Sequence, residues 1–391
     1  MNNLLKHLAF PAEIISQIEI VKGKGVYLYD KNGKEYLDLN SGICVNNLGH
    51  CHPAVIDAVK LQIEKYSHVT VYGESIQQPQ MQLAEILAGL LPSNLNCSFF
   101  VSTGSEAVEG ALKLAKRYTG RTEIIAFKNS YHGSTHGALS VMGEEGHKRA
   151  FRPLLSNVKL LDFNCEKSLN EISEKTACVI IEPIQGEAGV ILSENLFLKK
   201  LRQRSNETGA LLLFDEVQTG MGRTGTLFAF EQYDVVPDVL ILAKALGGGL
   251  PLGVFISSKN IMDCLKTEPL LGHITTFGGN PVCCAAAIAA IQTLLKEKLI
   301  DDILSKELLF KKLLKHNKIK EIRGKGLMLA LDFGDQDFCQ RMINSCLENG
   351  LFLDSFLFSP QCIRISPPLI ISEKEIEKAC SLILSSIKNI I

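Results

Sequence analysis

A lysine set at the end of an apolar run is the first candidate for chemistry in this chain. Val239-Leu240-Ile241-Leu242-Ala243 leads into Lys244, and Gly247-Gly248-Gly249 follows closely. A short apolar run reads as a buried strand. A lysine at its end is poorly hydrated, and burial lowers the pKa of an ammonium. The neutral amine can attack a carbonyl and form a Schiff base. The plainer alternative is a lysine whose stem lies along the strand end while its head reaches water. Asp215 closes another apolar run, Leu211-Leu212-Leu213-Phe214. It is either a solvated loop acid or helix cap, or an acid that pairs with a protonated ring nitrogen. Thr103-Gly104-Ser105-Glu106 follows a strand pattern and opens a helix pattern. Thr103 and Glu106 have capping-box spacing, and the free N–H groups and dipole of a helix start suit a phosphate. Many capped helices bind nothing. Tyr131-His132-Gly133 follows a further strand pattern; Tyr131 is either a core aromatic or a face for a flat ring to stack on. His132 reads as structural, because a lysine already offers the proton-transfer group.

A phosphate cradle, a stacking aromatic, an acid for a ring nitrogen and a Schiff-base lysine together specify one cofactor, pyridoxal 5'-phosphate (PLP). The elements that must position them alternate along the chain. Strand patterns cover 98–101, 122–127, 177–181, 210–214, 239–243 and 252–257, with helices over 105–118 and 197–208. Such alternation predicts an α/β fold with a mostly parallel sheet covered on both faces. Ligands bind beyond the carboxyl ends of such strands, where Glu182, Asp215 and Lys244 all stand. Upstream, 26–30 and 35–39 form a hairpin pattern around Asn32-Gly33, a type I′ turn signal. Helical spacing covers 53–66 and 81–91. Past Pro281 come a long helix over 283–296, strand patterns over 319–333 and 351–365, and a closing helix over 373–387. We expect an N-terminal segment, 1–50, packing with a small α+β domain, 282–391, and a large domain, 51–281, between them.

Composition bounds the rest. At 391 residues, 46% hydrophobic and 21% charged, the chain has globular values, and its net charge of -1 points to no nucleic-acid or membrane-surface partner. No apolar run reaches membrane-spanning length, and residues 1–13 lack the pattern of a secretory signal. The 12 cysteines form no CxxC pair, so they read as reduced thiols and the expected location is cytoplasmic. His50-Cys51-His52 before Pro53 reads as a turn, and no metal is expected.

The motifs resemble those of the class III (ω-amino-acid) aminotransferases, PLP enzymes of fold type I. The resemblance runs through Ser41-Gly42-Ile43, 49–53, 103–107, 131–133, 182–187, 215–220, 244–249, 275–281, Arg364 and Pro367-Pro368. It is nearest in look to acetylornithine and ornithine aminotransferases. The resemblance implies that Lys244 holds the cofactor and shuttles the proton, and that Asp215 pairs with the ring nitrogen. Tyr131 and Val217 would cover the two ring faces, with Thr103, Gly104 and Ser105 at the phosphate. Gln218 would lie near the ring hydroxyl. Thr276 would reach the phosphate of a neighbouring subunit, which implies a homodimer with shared sites. Arg364 would grip a substrate carboxylate, a task suited to guanidinium, and Glu187 would cover that arginine when an ω-amino donor binds. The implied activity moves a terminal amino group to 2-oxoglutarate in ping-pong fashion. Two positions depart from the pattern. Ser134 stands where those enzymes have an arginine for the donor's α-carboxylate, and Ile43 where ornithine aminotransferases have tyrosine. The donor therefore stays open among N-acetylornithine, ornithine, lysine, 4-aminobutyrate and a diamine, with an aminomutase as the competing reaction class. His136 and Lys148 are nearby cations, read as surface residues.

Overall fold

Four strands that are apolar except, at most, at an end residue set the architecture. Glu123–Phe127, Thr176–Ile181, Leu211–Asp215 and Val239–Leu242 are buried along almost their whole length. Side chains on a strand alternate between faces, so a continuous apolar run must be covered on both. Leu212, Phe214, Leu240 and Leu242 join one hydrophobic core, and Leu211, Leu213, Val239 and Ile241 join another. The helix Gly104–Thr119 covers the second core through Val108, Ala111, Leu112 and Ala115. The helices Asn195–Thr208 and Pro281–Lys296 join the first.

The computed structural model describes residues 7–11 and 18–390. The expected N-terminal segment begins with residues 1–6 and includes 12–17, which lie outside the described residues. The central sheet has seven strands, in the spatial order Cys97–Val101, Gly253–Ser257, Val239–Leu242, Leu211–Asp215, Thr176–Ile181, Glu123–Phe127 and Val158–Leu161. Gly253–Ser257 runs against the rest, and the other neighbours pair in parallel. Register places Phe214 beside both Ile181 and Leu240. The ends carrying Glu182 and Asp215 are therefore level, and Lys244 follows three residues beyond Ile241, the partner of Asp215, at the same edge of the sheet.

Several expectations need correction. The edge strand Val158–Leu161 carries no sequence signal of its own, since only Leu161 is fully buried. The hairpin at Asn32-Gly33 is present, but its turn is not the two-residue type I′. Tyr29 pairs with Glu35, and the Asp30 carboxylate accepts the N–H of Asn32 and of Lys34, both at 2.9 Å. That side chain imposes a longer Asx-type loop with only Gly33 left-handed, at φ 82°. The stretch 351–365 is not one strand. Leu351–Phe352 adds in parallel to Glu35–Asp38. Asp354–Ser355 and Cys362–Ile365 join an antiparallel sheet with Glu321–Lys325 and Met328–Asp332. In that sheet Leu329, Leu331, Ile363 and Ile365 share a core with Met342 of helix Gln336–Glu348 and Ile383 of helix Glu373–Ile390. The opposite face, with Arg323, Asp332 and Arg364, is free for polar work.

Candidate active site

The strand ends open into a cavity of about 780 Å³ lined by Thr103, Gly104, Ser105, Tyr131, Asp215, Val217, Gln218 and Lys244. At one end, electropositive because a helix begins there, is the start of helix Gly104–Thr119. Thr103 caps it, with Oγ1 accepting the Glu106 N–H at 3.1 Å. The Glu106 carboxylate reaches back to the Ser102 N–H at 2.7 Å, one residue earlier than a standard capping box. The first-turn N–H groups of Gly104 and Ser105 have no intrahelical partner. Ser105 Oγ lies 2.7 Å from Thr135 Oγ1. The loop that brings Thr135 there crosses close over the helix: a Cβ on Gly133, at φ 126°, would stand 2.4 Å from Ser105 Oγ. A larger residue at 133 would push the two hydroxyls apart.

Asp215 is buried, with Oδ1 accepting the Val217 N–H at 3.0 Å and Oδ2 bound to His132 Nδ1 at 2.7 Å. A carboxylate only accepts, so Nδ1 of His132 carries the hydrogen. His132 Nε2 is buried without a partner. The histidine thus fixes the rotamer of Asp215. Glu182 does similar work nearby, accepting the N–H of Tyr131 and of Gly186, each at 2.9 Å. Burial, opposed by His132 and reinforced by Asp215, pushes its carboxyl up to about 7.

Lys244 has left-handed backbone, φ 47°, a conformation costing about 1–2 kcal/mol in a residue with a Cβ. Such strain gathers where a side chain must be aimed. Burial pushes its ammonium below the usual lysine range; Cys44, Glu187 and Asp215 pull the other way, and Arg364 adds to the drop.

Arg364 and Glu187 form a buried pair, with Nη2 donating to both carboxylate oxygens at 2.8 Å. Their side chains are 3% and 10% exposed. The guanidinium lies 4.3 Å over the Phe356 ring. Gln218 joins them, donating to Glu187 at 3.2 Å and accepting from Arg364 at 3.4 Å. Burial alone would raise the Glu187 carboxyl, but Arg364, the Leu357 N–H and Lys244 hold it below the usual glutamate range.

Thr276 is exposed and does not line the cavity of its own chain. Ser134 is exposed at the cavity wall, with Oγ 3.3 Å from the Tyr131 hydroxyl. The reading of Lys148 as a surface residue is overturned. Its ammonium is turned inward, donating to Met142 O at 2.7 Å, so it cannot serve as a free cation at Ser134. His136 is exposed. Sequence reasoning missed the work of Thr135 and Glu182 and the bond from His132 to Asp215. His132 and Thr135 sit within four residues of Tyr131, the only sequence signal they had.

The donor set fits PLP. An anion cradle, a buried acid fixed by a histidine, and a lysine of lowered pKa line one cavity. Val217 packs close against Gly104, where a Cβ would stand 3.1 Å from it, and both line the cavity. Among the described residues no group could hold a metal ion, and no helix is long and apolar enough to cross a membrane.

Comparison with known proteins agrees. The sequence profile described as "Aminotransferase class-III" matches residues 11–387. The chain is 41% identical to an acetylornithine aminotransferase of Methanopyrus kandleri over 93% of this chain and 92% of that one. It is 40% identical to an acetylornithine aminotransferase of Clostridium acetobutylicum over 94% and 95%. An ornithine aminotransferase from Toxoplasma gondii, with PLP at partial occupancy in its active site, superposes with a TM-score of 0.91 and 30% identity, covering 100% of this chain and 93% of that one. A transaminase from Virgibacillus gives a TM-score of 0.93 at 28% identity, covering 99% and 98%. The chain belongs to the class III aminotransferases and is a PLP-dependent transaminase.

Proposed function

We propose that this chain moves the terminal amino group of an ω-amino donor of the acetylornithine or ornithine type to 2-oxoglutarate, in two alternating half-reactions. The buried two-oxygen contact of Glu187 with Arg364 carries this reading. With the pair closed, the site offers no free positive charge at that end and suits the part of a donor that lacks a carboxylate. With Glu187 withdrawn, the guanidinium takes a carboxylate of 2-oxoglutarate through two parallel hydrogen bonds. A site that alternates between these states serves two substrates in turn, as a transferase needs and a mutase does not.

When bound, PLP supplies an electron sink that lets the hydrogen on the donor's amine-bearing carbon leave as a proton. Gly104, Ser105 and Thr103 would hold its phosphate, Asp215 its ring nitrogen, and Tyr131 and Val217 its two faces. Lys244 would hold the cofactor and act as the base that takes and returns that proton, a role helped by its lowered pKa. Gln218, bonded to Glu187, would lie by the ring hydroxyl. We also read the enzyme as a homodimer, with Thr276 of each chain serving its neighbour's phosphate cradle. In support, Leu270, Ile274 and Phe277, all within six residues of Thr276, expose half or more of their surface, apolar surface of the kind that marks an interface. The free thiols of all twelve cysteines suit a reducing cytoplasm.

A second reading concerns the donor alone. Ser134 is neutral and Lys148 is tied inward, which favours a donor without an α-carboxylate, such as 4-aminobutyrate or a diamine. The test is a panel of N-acetylornithine, ornithine, lysine, 4-aminobutyrate and a diamine with 2-oxoglutarate, scored by glutamate released. Turnover confined to the first two supports the leading reading, and turnover confined to the last two supports the second. No glutamate from any donor would refute both.

A further inference from the structure

Glu187 sits in the turn of a hairpin between Ile184–Gln185 and Ile191–Leu192. Three successive carbonyls of that turn are each taken by a donor from one neighbour, the C-terminal antiparallel sheet and the loop before its last strand. Glu187 O accepts the Phe358 N–H at 3.1 Å. Ala188 O accepts from Ser359 Oγ at 2.7 Å. Gly189 O accepts from Arg323 Nε at 2.5 Å. Arg323 is itself fixed, with Nη1 on Asp332 at 2.8 Å and Glu321 at 3.1 Å, and Nη2 3.1 Å from Cys362 Sγ. Register places Arg323 opposite Ala330 and Ala330 opposite Arg364. Residues directly opposite share a face, so both arginines stand on the same face, with a small side chain between them, and both reach the same turn.

The turn is packed to the limit. A Cβ on Gly189, at φ 84°, would stand 2.6 Å from Arg323 Nη2 and 2.9 Å from Ser359 Cβ. The next residue, Val190, is held at φ 58°, a region a β-branched residue occupies only when its surroundings over-determine it. Arg364 holds the Glu187 carboxylate while Arg323 and Ser359 hold the backbone beneath it.

We propose that Arg323 is a positioning residue for substrate alternation. It fixes the backbone of the Glu187 turn, so that only the Glu187 side chain swings on and off Arg364. This rests on the reading of Glu187 and Arg364 given under Proposed function. Loosening the turn harms the closed state, which needs Glu187 placed to hydrogen-bond accuracy. It spares the open state, which needs Glu187 only to be absent. The donor half-reaction therefore suffers and the 2-oxoglutarate half-reaction does not.

The test measures the two half-reactions separately, by visible absorbance in single turnovers of the holoenzyme, with N-acetyl-L-ornithine or L-ornithine as donor and 2-oxoglutarate as acceptor. Arg323→Met should lower kcat/KM of the donor half by about tenfold, the worth of one hydrogen bond to a charged group. The acceptor half should change by less than about twofold on the same scale. Arg323→Lys, which keeps a donor for Gly189 O, should recover part of the loss. Ser359→Ala should show the same bias more weakly, and it keeps the test available if Arg323→Met does not fold. Amide hydrogen exchange over 184–192 should quicken in each variant, with no substrate present. Equal losses in both halves, or no change in either, would overturn the proposal by reducing Arg323 to a stability role or to none. Glu187→Gln separates the two layers. If it shifts the balance of half-reactions and the Arg323 variants do not, the proposal fails alone. If Glu187→Gln shifts nothing, the reading of the pair fails and takes the proposal with it.

Discussion

The two regions proposed as the cofactor end and the substrate end of the site are built in different ways. The cofactor end rests on the central sheet, where Asp215 and Lys244 close neighbouring strands whose register is fixed by buried apolar runs. The proposed substrate end is assembled from parts far apart in sequence: Ser134 at the cavity wall beside Tyr131 and, behind Gln218, Glu187 in the hairpin turn and Arg364 in the C-terminal sheet 177 residues on. The first end is rigid because its positions are those of a packed core. The second depends on hydrogen bonds between separate sheets, and on the proposed reading those of Glu187 to Arg364 are the ones made and broken.

The sharpest way to break this contrast is at the cofactor end. Lys244→Ala removes the base and the amine that would hold the cofactor, and turnover should fall by at least about 10²–10⁴-fold, the usual worth of a general base. Residual turnover near the level of the unchanged protein would refute the assignment. At the substrate end the loss should be partial and selective. Arg364→Lys keeps the charge but not the paired hydrogen bonds, so KM for 2-oxoglutarate should rise about 10–100-fold, equivalent to roughly 1.5–3 kcal/mol. Steady-state kinetics at varied 2-oxoglutarate would show this.

A smaller effect tests how the rigid end is held. His132→Phe removes the donor on Asp215 and leaves the buried carboxylate one partner short, which should cost about 1–3 kcal/mol. Thermal unfolding and PLP affinity should both report it.

The smallest expected effect is on pH dependence. The Glu187 carboxyl is held below its ordinary value in the folded state. Its contribution to stability is therefore fully present above the ordinary glutamate pKa and is lost as pH falls through the lowered folded one. The Tm difference between the unchanged protein and Glu187→Gln should shrink on acidification, by on the order of 2 °C per kcal/mol in a large chain. A difference that grows on acidification would contradict the direction assigned.

What was legible in the sequence follows the same division. Residues 211–214 and Val239–Leu242 could be read as buried strands because every side chain in them is apolar. The helix start at Thr103 was legible because its cap is local. The Glu187–Arg364 pair came only through resemblance to a family, since no local pattern links residues so distant. The bonds from His132 to Asp215, Thr135 to Ser105 and Glu182 to Tyr131 span 83, 30 and 51 residues, and spacing alone cannot foresee such contacts. Lys148 was misread because it sits among charged neighbours, while its ammonium finds the Met142 carbonyl instead of water. Ile43 shows a similar limit: its left-handed backbone, φ 60°, is imposed by the Asn40 and Asp38 side chains that cap the 40–43 turn, not by any preference of isoleucine.

The central claim is that Lys244 is the residue that holds the cofactor in this cavity. The most direct test is to load the protein with PLP, reduce it with borohydride, digest it and map the modified lysine by mass spectrometry. One phosphopyridoxyl mass is expected, on the peptide containing Lys244. The same mass on another lysine, with Lys244 unmodified, would contradict it.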